Sequence, residues 1–159
     1  MVEVLSKKLF ERLLEEARKR DMSVEEFIAE SLLKVLNISL DPSDKVELHL
    51  KLCEKYLREA EDFLSKKDYV QASEKGWGAA TQIVKALAAK EGKELKSHGE
   101  LHKEVIRIVK ETGDDEIRLL WQSAIALHQN FYENWLPLEM VEKNIGDIKK
   151  LVEKLKKLL

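Results

Sequence analysis

The sequence predicts an all-α fold, an up-and-down bundle of four to five helices that follows an N-terminal helical hairpin. Apolar residues recur at spacings of three and four through most of the chain, which is typical of amphipathic helices. No stretch after residue 5 alternates apolar and polar residues as a strand would. The 159 residues suit one domain with a small appendage. We therefore expect a helix-turn-helix arm at residues 1–40 and the helical bundle at residues 41–159.

The segment at residues 68–90 is predicted to be the innermost helix of the bundle. Its apolar and small side chains form two adjacent stripes at helical spacing, so most of its surface can be buried. Trp77 lies in one stripe, between Gly76 and Gly78. Because glycine lowers helix propensity, we expect these two glycines to mark places where neighbouring helices approach closely.

Two helices are predicted before the bundle, at residues 7–20 and 23–36. Ser23 and Glu26 have the spacing of a capping box at the start of the second one. The apolar face of this second helix contains five large side chains: Phe27, Ile28, Leu32, Val35 and Leu36.

This opening resembles the ribbon-helix-helix family, because a short strand at residues 2–5 would precede two helices joined by a turn with Met22 and Ser23. In that family the strands of a dimer pair and bind DNA. DNA phosphates would repel Glu3, and the proline usual before the first helix is missing. We expect the arm to serve dimerisation or packing, with a DNA-binding regulator as an alternative.

The other predicted bundle helices cover residues 42–65, 97–112, 115–135 and 138–159. Asp41 and Pro42 suit a helix start, and Gly113 suits a helix end. The last helix has a seven-residue repeat, which needs a partner in the bundle or across a dimer. The repeat contains Leu138, Val141, Ile145, Ile148, Val152, Leu155 and Leu159.

The composition narrows the classes of function. The net charge of -2 gives the chain no general attraction for nucleic acid, so such a site would have to be a local patch. Lys and Glu dominate the 36% of charged residues, as in proteins from hot environments. Cys53 is the only cysteine and is expected to be a buried thiol. No apolar run is long enough to cross a bilayer, so we expect a cytoplasmic protein without a membrane partner.

Two groups of residues could carry chemistry. His98 and His102 are one helical turn apart and could bind one metal ion, but no further ligand completes the set. We therefore expect no metal and no other cofactor. His128 lies among aromatic residues, and two interpretations stay open. It is a hydrogen-bonded histidine at the edge of the bundle, or a cleft residue beside Tyr132 and Asn134 that moves protons or holds a base.

The middle of the chain is locally basic. A solvated surface explains this charge, and a patch for an anionic ligand beside the aromatic residues is the alternative. The lysines concerned are Lys66, Lys67, Lys75, Lys85, Lys90, Lys93 and Lys96.

From about residue 44 onwards the chain resembles the HEPN superfamily of helical bundles. The resemblance is carried by YLREA at residues 56–60, KDYVQA at 67–72, and the Ser97–His98 pair. More narrowly, WGAA at residues 77–80, RLLW at 118–121 and ALHQNFYENW at 126–135 resemble the archaeal PaREP family. The resemblance implies a helical bundle that forms a homodimer.

Many HEPN members are metal-independent ribonucleases with an Arg four to six residues before a His, and others are binding partners of nucleotidyltransferases. Here Arg118 is too far from His128, and Asn134 stands about where an Arg is usual. We expect a non-enzymatic dimeric module that binds a nucleotide, RNA or a protein, with an atypical ribonuclease as an alternative. The candidate cleft contains Trp77, Trp121, His128, Tyr132, Asn134 and Trp135.

Overall fold

The computed structural model describes residues 4–159, and within this range the chain forms seven α-helices and no strand. The all-α prediction is confirmed. The helices are α1 (Lys7–Lys19), α2 (Val24–Leu36), α3 (Pro42–Ser65), α4 (Tyr69–Lys90), α5 (His98–Thr112), α6 (Glu116–Glu133) and α7 (Leu138–Lys156).

The helix α4 is the centre of the bundle, as its two apolar stripes predict. It packs against α3, α6 and α7, and over a shorter length against α5. Every residue from Ala79 to Ala89 is buried. A Cβ atom on Gly76 would lie 2.5 Å from Cδ1 of Ile145 and 2.8 Å from Cδ1 of Leu127. The absence of a side chain at Gly76 therefore lets α6 and α7 pack closely on α4.

The apolar seam of α7 finds its partner inside the bundle. Val141, Ile145, Ile148, Val152 and Leu155 are at most 2% exposed. They face α4, with further contacts of α7 to α6 and α3. A second chain is therefore not needed to cover this seam.

The helix α6 ends two residues earlier than the sequence pattern predicts. Asn134 follows it in the left-handed conformation, with φ 49°. The side-chain oxygen of Asn130 accepts hydrogen bonds from the backbone N–H groups of Trp135 (3.0 Å) and Leu136 (2.8 Å). These bonds satisfy two backbone donors outside the helix, so Trp135 lies in a turn and is 63% exposed.

The hairpin of α1 and α2 is held on the bundle by buried charge. Ser23 and Glu26 form the predicted capping box, and Glu26 also accepts a hydrogen bond from Nζ of Lys85 at 2.8 Å. Only 7% of the Glu26 side chain and 9% of the Lys85 side chain are exposed. The prediction that Lys85 belongs to a solvated surface is therefore wrong, because the hairpin covers it.

The C-terminal half of α2 is not covered. Leu32 is 48%, Val35 81% and Leu36 61% exposed, although the sequence places all three on the apolar face of α2. The reason is that α2 is buried only near its start, at Val24 and Glu26.

The predicted opening strand falls partly on residues 2 and 3, which lie outside the described residues, as does the interpretation of Glu3. Val4 and Leu5 are described and lie in no strand. Within residues 4–159, none of the helices combines the length and hydropathy needed to span a bilayer. Cys53 is fully buried, and burial raises the pKa of its thiol to about 12, as expected of an inert core cysteine.

Candidate functional site

Aromatic and imidazole rings from three helices meet on one side of the bundle. One ring comes from α4, two rings come from α5 and three rings come from α6. We call this set the imidazole cluster: Trp77, His98, His102, Trp121, His128 and Tyr132.

Two buried indoles form the floor of the imidazole cluster. Trp77 is 9% exposed and Trp121 is 3% exposed, and their ring centroids are 5.4 Å apart. His128 stacks on Trp77 at 4.4 Å with an angle of 25° between the ring planes. One face of the His128 imidazole is thus covered, and both tryptophans lie beneath the surface.

Nε1 of Trp121 donates a hydrogen bond to Nδ1 of His102 at 3.0 Å. Because an indole N–H can only donate, Nδ1 of His102 must be the accepting nitrogen. In its neutral form His102 therefore carries its proton on Nε2.

Four rings of the imidazole cluster reach solvent, namely those of His98, His102, His128 and Tyr132. The His98 and His128 centroids are 4.8 Å apart at 76°, and those of His128 and Tyr132 are 5.4 Å apart at 88°. His98 and His128 are half-buried, whereas Tyr132 is 65% exposed. A ligand can reach the exposed part of the Tyr132 ring and the accessible edges of the imidazoles.

Local helix geometry explains why these rings meet. His128 and Tyr132 are four residues apart on α6, so they share a face. Ser97 caps α5 by accepting a hydrogen bond from the backbone N–H of Glu100 at 3.2 Å. This cap starts α5 at His98 and sets the direction of its first turn, which lies against α6.

The imidazole of His128 is neutral at pH 7. Burial, together with the nearby His98 and His102, lowers its pKa to about 4, although Asp21 opposes part of this shift. Burial, and then the neighbouring His98, also lower the pKa of His102. A neutral imidazole offers one donor and one acceptor, which suits a nucleobase edge better than a phosphate.

The α1–α2 hairpin reaches the imidazole cluster. Oδ1 of Asp21 lies 3.8 Å from Nε2 of His98. The guanidinium of Arg18 lies 5.9 Å from the ring centroid of Phe131, and that ring contacts Tyr132 at 4.9 Å. Neither hairpin residue was predicted to belong to the site, since nothing local in the chain connects residues 18–21 with residue 128.

Two of the predicted site residues stand apart from the ring contacts. Asn134 and Trp135 follow α6 and are exposed, and among the described residues neither takes part in a ring pair with the imidazole cluster. Asn130, which was not among the predicted site residues, accepts the hydrogen bonds of this turn and donates a hydrogen bond to Oγ of Ser73 at 2.9 Å. The sequence did contain a sign of this role. Asn130 is a polar residue three positions after Leu127, so it falls on the apolar face of α6 that was predicted to be buried.

Among residues 4–159, no three or more His, Cys, Asp or Glu side chains lie close enough together to bind a metal ion. Arg118 donates two hydrogen bonds of 2.8 Å to Asp115. His128 is ten positions further along the helix, which is about 15 Å along the axis. Arg118, the arginine of α6, therefore does not reach His128.

Comparison with known proteins identifies a family and a similar solved structure. The model of the archaeal PaREP1/PaREP8 family matches residues 48–152. The crystal structure of a protein from Sulfolobus solfataricus is similar at a TM-score of 0.58 and 33% identity, over 67% of this chain and 94% of that one. No curated protein matches. Every ring of the imidazole cluster lies inside the matched range, whereas the α1–α2 hairpin precedes it.

Proposed function

The chain belongs to the archaeal PaREP1/PaREP8 family, and we propose that it is a non-enzymatic, HEPN-like binding module. Its ligand is an unpaired base, in a nucleotide or in single-stranded RNA. The imidazole cluster is the binding surface. The observation that carries the proposal is the exposed ring of Tyr132 beside the neutral imidazole of His128.

This pair of side chains suits a nucleobase for two physical reasons. An exposed aromatic ring stacks on any base, and each stack contributes about 1–3 kcal/mol. The neutral His128 can donate to and accept from polar atoms of the base edge. The buried Trp77 beneath His128 keeps the imidazole in place, so little side-chain freedom is lost on binding.

The position of Arg118 argues against cleavage by an arginine–histidine pair on the late helix, the pair that the HEPN resemblance implies for ribonucleases. A phosphate that develops charge in a transition state needs positioned donors close to it. Arg118, the guanidinium of α6, is bound to Asp115 and lies about 15 Å along the helix from His128. Incubation of structured RNA with EDTA should therefore yield no cleavage that depends on His128.

The binding experiment follows tryptophan fluorescence, because Trp77 and Trp121 lie within the cluster. Titration with nucleoside monophosphates and short single-stranded RNA should change the emission. Tyr132→Ala should weaken binding by about fivefold to 150-fold through the lost stack, whereas Tyr132→Phe should bind almost as the wild type.

Leu119→Ala is the matched control for the α6 surface. Leu119 is 54% exposed and nine residues from His128, which places it on the opposite side of the helix. Its substitution should leave the titration unchanged. If millimolar nucleotide and micromolar RNA leave the wild-type emission unaltered, the proposed function is wrong.

A further inference from the structure

We propose that the α1–α2 hairpin completes the binding site and that Arg18 binds the phosphate group of a nucleoside phosphate. The inference rests on the proposed function, because it places the base at Tyr132 and His128. It adds the chemical class of the ligand and a contact from outside the bundle.

The position of the hairpin is the first argument. The guanidinium of Arg18 lies above the ring of Phe131, whose neighbour is the exposed Tyr132. In the same hairpin, the carboxylate of Asp21 faces His98. Residues 18–21 therefore border the imidazole cluster where its rings are open to solvent.

The charge of Arg18 is the second argument. Four of the six arginines form ion pairs, namely Arg12, Arg20, Arg107 and Arg118. Within residues 4–159, Arg18 and Arg58 have no carboxylate oxygen within 4.0 Å. Burial raises the pKa of Glu74, and Arg18 lowers it in part, yet the two form no ion pair.

The neutral state of His128 is the third argument. An imidazole with a pKa of about 4 carries no charge at pH 7 and cannot neutralise a phosphate. A ligand with a phosphate next to its base needs a cation beside the rings. The planar guanidinium of Arg18 has the donor geometry that matches phosphate oxygens.

The hairpin is anchored firmly enough to position Arg18. Ala17 is 1% exposed, and its carbonyl accepts hydrogen bonds from the backbone N–H groups of Arg20 (3.0 Å) and Met22 (3.2 Å). The buried Glu26–Lys85 pair joins α2 to α4. Because the backbone is anchored, ligand binding has to order only the Arg18 side chain and not the segment that carries it.

The experiment compares a nucleoside with its monophosphate, adenosine with AMP and uridine with UMP, by the fluorescence titration. In the wild type we expect the monophosphate to bind about tenfold more tightly than the nucleoside. A hydrogen bond to a charged group contributes enough free energy to change the affinity by at least this factor. Arg18→Gln should remove that difference and leave nucleoside affinity unchanged. Tyr132→Ala should weaken both ligands and keep the ratio between them.

Arg58→Gln is the matched control, because Arg58 is an exposed guanidinium of α3 that also lacks a carboxylate partner among residues 4–159. It should behave as the wild type. If Arg18→Gln keeps the full preference for the monophosphate, the phosphate contact is wrong and the base site stands. If neither the nucleoside nor the monophosphate binds the wild type, both proposals fall together.

The terminal phosphate of an RNA is the same chemical group as the phosphate of a free nucleotide. A second experiment therefore distinguishes these two ligands. Short RNA with a 5′-phosphate is compared with the same RNA carrying a 5′-hydroxyl. A preference for the phosphorylated end that Arg18→Gln abolishes, without a preference for AMP or UMP, would assign the contact to RNA ends. Equal binding of the two RNAs and of each nucleoside and its monophosphate would overturn the inference.

Discussion

Single polar residues shape the candidate site from within the core. Asn130 is 1% exposed, and its amide makes hydrogen bonds to the turn after α6 and to Ser73 of α4. An apolar residue there would leave two backbone N–H groups without their partner. The turn that carries Trp135 therefore depends on one buried side chain.

At this scale His128 makes one contribution to the pH dependence of stability, beside those of His49 and His102, whose pKa values burial also lowers. The folded-state pKa of about 4 lies below the ordinary value of 6.5, so the unfolded chain binds more protons between these values. Stability should thus be fully present above pH 6.5 and should fall as the pH drops towards 4. The shift corresponds to at most about 3 kcal/mol, and solvent near the half-buried ring reduces this to about 1–2 kcal/mol.

The measurement is urea unfolding of the wild type and His128→Gln between pH 4 and 7. The variant has no titrating group at this position, so the free energy of unfolding should fall less steeply with acid. Parallel pH profiles for the two proteins would contradict a neutral, part-buried His128.

Among the elements, α4 determines how closely the other helices can pack. Its glycines are not equivalent to glycines elsewhere in the chain. Gly76 faces the tips of Ile145 and Leu127, both of which are buried and cannot move aside without displacing neighbours. A Cβ atom on Gly146 of α7 would meet none of the described residues within 4 Å, so that position faces open space.

These two glycines give a prediction with an internal control. Gly76→Ala should destabilise the protein by about 1–3 kcal/mol, because overpacking costs more than the gain in helix propensity. Gly146→Ala should stabilise it by about 0.5–1 kcal/mol through helix propensity alone. Urea unfolding of both variants tests this, and a stabilised Gly76→Ala protein would refute the close packing of α4, α6 and α7.

For the whole molecule, the question is how the hairpin and the bundle depend on each other. We propose that residues 41–159 fold independently, since the core of the bundle lies within α3 to α7.

The homodimer expected from the family resemblance stays a prediction, which sedimentation equilibrium would test.

The fragment of residues 41–159 should unfold cooperatively but with lower stability than the full chain. The reason is that Lys85 and the hydroxyl of Tyr56 lose their carboxylate partners on α2, Glu26 and Glu25. Breaking a buried ion pair costs about 3–5 kcal/mol, and exposure of Lys85 to water reduces this cost. Adding Lys85→Met to the fragment should recover part of the loss, and a fragment without a cooperative transition would contradict independent folding.

Local rules determined most of the secondary structure. The spacing of apolar residues and the caps at Ser23, Asp41 and Ser97 act within one or two helical turns, so the sequence alone predicts where these helices begin. The central position of α4 was also predictable, because a helix that is apolar on most of its surface must be covered on most of its surface.

Only the tertiary structure decided which distant side chains meet. The sequence places Lys85 in a basic region but does not show that Glu26, 59 residues earlier, covers it. It places His98 one turn from His102 but does not show that His98 packs against His128. Periodicity assigns a residue to a face of its helix but does not say which helix lies opposite. That choice depends on how all the helices of residues 4–159 pack at once, and the imidazole cluster and its border at Arg18 follow from it.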